Sequence, residues 1–337
     1  MRQLAVLSAA LGVVALFGCG AGAAEQRPSA NAADARLAEP AHAAPEASAL
    51  VQQGEAKLAA NDAAAAKALF DQALSANGQD ARAALDLGIA DEMLGDAAGA
   101  ETAYRRALAT QPDFAEAQNN LGVLLRERGE LTEAVTLLQR AAAGASPSAA
   151  AHQNLALAFE DQGNLKAAAS EYERALESAP EDAMTRANYG LLLLKQQQRE
   201  AAVRELSKAM QDAEGNRAAL LAIGNGLRRA GAADAALRAM ESAVAARGEP
   251  ATPALLSELA LAQRAADKRT EAVATLQKAL SLDDKYATAH YLLANMLAAD
   301  QRFADAKKHY ERYLKLEPAG EQAARARERL ALIQKHK

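Results

Sequence analysis

Residues 88–107 read GIADEMLGDAAGAETAYRRA, and four positions in this stretch return along most of the chain. Gly88 has counterparts at Gly54, Gly122, Ala156, Gly190, Gly224, Ala260 and Ala294. The spacing is 34 residues throughout, except for 36 between Gly224 and Ala260. Twelve residues after each of these stands alanine: Ala66, Ala100, Ala134, Ala168, Ala202, Ala236, Ala272 and Ala306. Alanine is 93 of 337 residues, so chance would fill only two or three of those eight places. Four residues further on comes a large apolar side chain, namely Phe70, Tyr104, Leu138, Tyr172, Leu206, Met240, Leu276 and Tyr310. Three beyond that is alanine again, Ala73 to Ala279, broken only by Tyr313 in the last unit. A fixed period of this length marks an array of stacked supersecondary units.

Composition agrees. Half of the chain is apolar by type, yet alanine makes up most of that half; there is no Trp and aromatics are 4%. A single core of large side chains is excluded, and β-branched residues never gather into alternating runs, which excludes large sheets. Alanine favours helix and lets helices approach closely. Gly95, Gly129, Gly163 and Gly231 fall between the two helices of their units, and Pro112, Pro180 and Pro318 follow the second helix, with Pro147 one place late. A proline just past a helix cannot extend it.

These columns resemble the tetratricopeptide repeat, a 34-residue helix–turn–helix unit. The resemblance implies an all-α, right-handed superhelical solenoid of eight units, at 47–80, 81–114, 115–148, 149–182, 183–216, 217–250, 253–286 and 287–320. Residues 321–337 read as a capping helix, with Ala323, Ala324, Leu330 and Ile333 turned inward and Arg325, Arg327 and Arg329 facing water. Two departures stand out. The aromatic usual early in the first helix is absent in every unit, replaced by Ala84, Gln118, His152 and similar residues. Two extra residues around Pro250 and Pro253 predict a kink or a loosened interface there.

At the N-terminus, Arg2 and an apolar run from Leu4 to Phe17 read as an export signal too short to span a bilayer comfortably. Leu16, Phe17, Gly18 and Cys19, the only cysteine, resemble the lipobox of bacterial lipoproteins, although Phe17 replaces the usual small residue. The resemblance implies a signal peptide over 1–18, lipidation at Cys19 and a tether over 19–46. It implies a lipid anchor in the bacterial cell envelope, facing the periplasm from the outer membrane, since no aspartate follows Cys19. Cleavage after Ala21-Gly22-Ala23, which gives a soluble exported protein, and an uncleaved anchor are the other readings. With one cysteine the chain forms no internal disulfide.

Net charge is −5 but unevenly spread. Residues 47–182 carry 10 Lys/Arg against 21 Asp/Glu, while residues 183–337 carry 25 against 18. This is a dipole along the chain, unlike the uniform basic surface of a nucleic-acid binder.

No phosphate loop, His-Glu-x-x-His or Gly-x-Ser-x-Gly motif is present. His42, His152, His290, His309 and His336 read as scattered, and Asp91-Glu92 and Glu160-Asp161 as solvated charges. The expectation is therefore a protein that is not an enzyme and takes neither cofactor nor metal. Asn120, Asn154 and Asn188 share one column in three consecutive units, two residues before the small residue. They resemble the asparagine ladder in the repeat domain of protein O-linked N-acetylglucosamine transferases, where amides hold a peptide backbone; a tolerated exposed asparagine is the other reading. A side-chain amide both donates and accepts, so it pairs with a peptide group without reading sequence. Asn119 and Gln153 widen this row. Asn225, Arg228, Arg229 and Arg264 form a basic stretch suited to an acidic peptide or a carboxylate, or else a solvated basic face. The expected function is a scaffold binding extended segments of partner proteins in the groove. It resembles repeat lipoproteins that assist pilus or secretion-channel assembly, or that gather cell-wall hydrolases and proteases. A docking subunit for such a hydrolase or protease, and a self-associating scaffold, are the alternatives.

Overall fold

The computed structural model describes residues 43–144, 148–248 and 250–335. Cys19, the signal, the tether up to residue 42, His336 and Pro147 lie outside them; residues 43–46, read as the end of the tether, open the first helix instead. The described residues form seventeen helices and no strand. Eight pairs follow one another: α1 (Ala43–Ala59) and α2 (Ala63–Ala76); α3 (Ala81–Met93) and α4 (Ala97–Thr110); α5 (Ala115–Glu127) and α6 (Leu131–Ala142); α7 (Ala149–Asp161) and α8 (Leu165–Ser178). The series continues with α9 (Ala183–Lys195) and α10 (Arg199–Asp212); α11 (Arg217–Arg229) and α12 (Ala233–Ala245); α13 (Pro253–Ala265) and α14 (Arg269–Leu282); α15 (Ala287–Ala299) and α16 (Phe303–Leu316). Helix α17 (Ala323–Lys335) closes the series.

Steric necessity links the columns read above. A Cβ built on Gly88 would lie 2.4 Å from the Tyr104 ring, on Gly54 2.5 Å from Phe70, and on Gly122 and Gly190 2.6 Å from Leu138 and Leu206. The large residue of the second helix thus fills the space a first-helix side chain would need. Tyr104, Tyr172, Tyr310 and Phe70 are fully buried by this packing, and the alanine columns with them.

The turn between paired helices places one residue in the left-handed region. Gly95, Gly129, Gly163 and Gly231 do so at φ 77, 83, 78 and 79°. In the other four units the place is held by Asn61, Gln197, Asp267 and Gln301, at φ 60–63°. A Cβ makes this conformation cost about 1–2 kcal/mol, which glycine avoids at some entropic cost. Gln197→Gly is expected to stabilise the fifth unit by about 0.5–1 kcal/mol, read as a rise in its urea midpoint at unchanged slope.

The column that lacks its aromatic is filled by reaching polar side chains. Gln118 donates to the Pro112 carbonyl at 2.7 Å, Arg186 donates to the Pro180 carbonyl, and His290 Nε2 bonds the Asp284 carbonyl at 2.9 Å. Each reaches back six residues into the preceding turn. Arg186 and His290, and His152 in the same column, also meet a residue nineteen ahead on the second helix. His152 Nδ1 lies 2.7 Å from Glu171, Arg186 donates to Glu205 at 3.0 Å, and His290 Nδ1 lies 2.8 Å from His309 Nδ1. The histidines read as scattered therefore include one directly bonded pair.

The Asp284 carbonyl can only accept, so His290 carries its proton on Nε2 and His309 donates from Nδ1. Burial, and then the neighbouring His290, lower the His309 pKa; Asp305 opposes this and Lys308 reinforces it. The folded protein therefore takes up this proton less readily than the unfolded chain. Stability is full above the ordinary histidine range near 6.5 and is lost as pH falls through it. Amide protection factors in α15 to α17, taken relative to the intrinsic exchange rate at each pH, are expected to fall between pH 7.5 and 5.5, and His309→Gln is expected to flatten that dependence.

The junction with two extra residues stays packed. Gly248 (φ 119°) turns the longer loop, Thr252 caps α13 by accepting from Leu255 N at 3.2 Å, and Pro253 opens the helix. Leu255 joins the core of the fifth and sixth units and Leu256 that of the seventh and eighth, so the core continues where loosening was expected. In α17 the inward residues are Ala323, Ala326 and Ile333, with Leu330 partly buried against the same core; Ala324 is exposed, contrary to expectation.

Candidate functional site

First helices touch one another along the series: α1 meets α3, α5 meets α7, α9 meets α11, α11 meets α13 and α13 meets α15. Second helices make no comparable contact with each other. The first helices thus form the tighter, inner layer of the solenoid, and its exposed surface is the candidate site.

Two rows run side by side on this layer. Asn120, Asn154 and Asn188 are half-buried in one row, and three positions on stand Val123, Leu157 and Leu191, also half-buried, with Ile89 continuing this second row one unit earlier. The amides are partly bonded among themselves. Asn154 Nδ2 donates to Asn119 Oδ1 at 2.9 Å across the unit boundary, and Asn119 Nδ2 donates to Asn120 Oδ1 at 3.2 Å. Asn120 also lies beside the Tyr104 hydroxyl. Asn188 and Gln153 bond to nothing among the described residues. One amide row therefore offers both a pre-ordered stretch and free groups, next to an aliphatic strip.

Asp86 precedes Asn120 in the same column. It is buried, and burial pushes its pKa up to about 6 against the opposing pull of Arg82, whose Nε donates to it at 3.1 Å.

Charged groups border the rows, and two of them are less solvated than expected. Asp91 is 2% exposed and pairs with Lys67 of α2. The Glu160 side chain is 9% exposed and accepts from Tyr172 and from Lys195, each at 2.6 Å. The bonds explain the change, since a buried carboxylate needs partners to stay charged. Glu92 accepts from the Tyr104 hydroxyl at 2.9 Å, and Arg126 lies 3.5 Å from Asp161 of the next unit.

In α11 and α13, Asn225 accepts from Arg228 at 3.2 Å, and Arg228 lies 3.7 Å from Glu258. Arg228 Nε and Glu258 Oε2 are buried without a hydrogen bond. Arg229 and Arg264 are exposed and pair with no carboxylate among the described residues. The amide column is lost here, its places taken by Ala222, Glu258 and Leu292. Sequence reasoning missed that Tyr104 and Tyr172, fully buried on second helices, hold Glu92 and Glu160 from beneath; tyrosine in the large-residue column was the available signal.

The described residues hold no cluster of three or more His, Cys, Asp or Glu able to bind a metal ion, and none of their helices is long and apolar enough to cross a membrane. The geometry defines a helical-repeat protein built from eight stacked helix pairs. The tetratricopeptide repeat family matches at residues 51–109, 93–150, 141–183, 154–219 and 257–324, and the chain belongs to it. Members of this fold serve generally as non-catalytic scaffolds that bind proteins or peptides.

Several solved structures are similar in fold. PilW, a type IV pilus biogenesis factor, is 21% identical, with TM-score 0.54 over 59% of this chain and 93% of its own. A repeat protein from Parabacteroides merdae is 21% identical, with TM-score 0.52 over 76% and 99%. Yeast Tom70 is 18% identical, with TM-score 0.55 over 86% and 64%. No curated protein matches the chain.

Proposed function

We propose that this protein is a non-catalytic scaffold of the bacterial cell envelope that holds extended segments of partner proteins along its first helices. The observation that carries this reading is the amide row beside the aliphatic row. Asn188 and Gln153 keep both hydrogen-bonding functions available, and Ile89, Val123, Leu157 and Leu191 offer apolar contact at the same pitch. An extended chain advances about 10 Å in three residues, so each unit meets a backbone amide and a side chain at every third residue. The export signal with Cys19 supports an envelope location through lipidation at that residue. Pilus assembly, with which PilW is named, is the first process to test.

Asn120→Ala, Asn154→Ala and Asn188→Ala together are expected to abolish capture of partners from envelope extract without changing the helical circular dichroism. Capture of the same proteins by both forms would move the binding surface elsewhere. Cys19→Ala is expected to release the protein from membranes, and unchanged retention defeats the lipid anchor.

A further inference from the structure

The inner layer changes sign where its amide row ends. Along α3, α5 and α7 its border carries Glu92, Glu127, Glu160 and Asp161, with Arg126 tied to Asp161. Glu127 pairs with no cation among the described residues. From the end of α9 the border becomes Lys195, Arg228, Arg229 and Arg264; of these, Lys195 is paired with Glu160 and Arg228 lies 3.7 Å from Glu258. This reversal is separate from the amide row and lies on the exposed surface, where Arg229 and Arg264 pair with no carboxylate among the described residues.

We propose that the groove selects its occupant by charge order: an extended segment with a basic block along α3 to α7 and an acidic block along α11 and α13. The inference rests on the peptide-binding reading above and adds the chemistry of the peptide. Amides grip backbone without regard to sequence, so the row from Asn120 to Asn188 alone leaves a chain free to slide by one unit. Opposite charges at the two ends remove that freedom, because a slipped or mixed segment places like charges together. At about 10 Å per unit and about 3.3 Å per residue, the path from α3 to α13 takes about 15 residues. Each block is therefore several residues long.

The test uses three labelled peptides of about 18 residues with the same alternating apolar positions. One carries lysines in one half and glutamates in the other, one carries the same residues alternated, and one carries serines instead. Fluorescence anisotropy with the purified protein is expected to show the block peptide binding at least about tenfold tighter than the alternated one at low salt. The gap is expected to close at about 0.5 M salt, where surface charges are screened. Arg229→Glu with Arg264→Glu, both exposed and so tolerated by the fold, is expected to abolish the preference for the block peptide over the alternated one. Equal binding of block and alternated peptides, with serine peptide also bound, overturns the charge order and leaves the groove reading standing. If no peptide binds, the groove reading falls as well.

Discussion

Gly88→Val is expected to destabilise the second repeat by about 3 kcal/mol. The cause is geometric. A Cβ at this position would sit 2.4, 2.6 and 2.9 Å from three atoms of the Tyr104 ring. That ring is fully buried and its hydroxyl is held by Glu92 at 2.9 Å, so it cannot swing aside without breaking the bond. Valine adds two methyls to a space that does not admit one. Gly88→Ala is expected to cost less, about 1–2 kcal/mol, because alanine returns about 1 kcal/mol of helix propensity. The seventh unit shows one way in which alanine is tolerated, with Leu276 opposite Ala260; the fourth and eighth show another, with Tyr172 opposite Ala156 and Tyr310 opposite Ala294, all fully buried. Tyr104→Leu introduced with Gly88→Ala should therefore recover most of the loss, giving a large coupling in a double-mutant cycle. Urea unfolding followed by circular dichroism and amide exchange in α3 and α4 measures it. Additive single costs would mean that the two columns do not depend on each other.

That dependence is also why the fold was legible. A small residue, an alanine and a large residue at fixed offsets express one packing constraint repeated eight times, and constraint of this kind survives in sequence as period. The turn was half legible. Glycine announces a left-handed residue at 95, 129, 163 and 231, whereas Gln197 and Gln301 carry no such signal and adopt φ 63 and 60° because the paired helices require it. Only Asn61 and Asp267 hint at it through their residue type. The two extra residues before α13 read as a defect, because sequence shows a break in period and cannot show that Leu255 and Leu256 bridge it.

The candidate site was legible as a column and not as a network. Asn120, Asn154 and Asn188 stand out by spacing. The bond from Asn154 to Asn119 depends on how units stack, which no single unit specifies. Asp91 and Glu160 were misread for a similar reason. Their neighbours Lys67 and Lys195 come from other helices, 24 and 35 residues away.

Replacing the buried Arg186 brings out the least legible feature. Arg186→Ala is expected to cost about 3 kcal/mol or more. The side chain is 6% exposed, pairs with Glu205 at 3.0 Å and donates to the Pro180 carbonyl, so its loss leaves a cavity, a carbonyl and a carboxylate without a partner. A buried ion pair is nonetheless replaceable when both members go together, because the desolvation of each is then removed. The sixth unit supplies the apolar version of the same two columns, Leu220 at 3% exposure and Ala239 at 0%. Arg186→Leu with Glu205→Ala is therefore expected to return to within about 1 kcal/mol of the parent. Denaturant unfolding with exchange read in α9 and α10 distinguishes the cases. If the single change costs under about 1 kcal/mol, the polar side chains in the vacant aromatic column merely fill space. If the single change is costly and the double change rescues it, they hold each unit to the turn before it. The column would then do the work of the missing aromatic through hydrogen bonds.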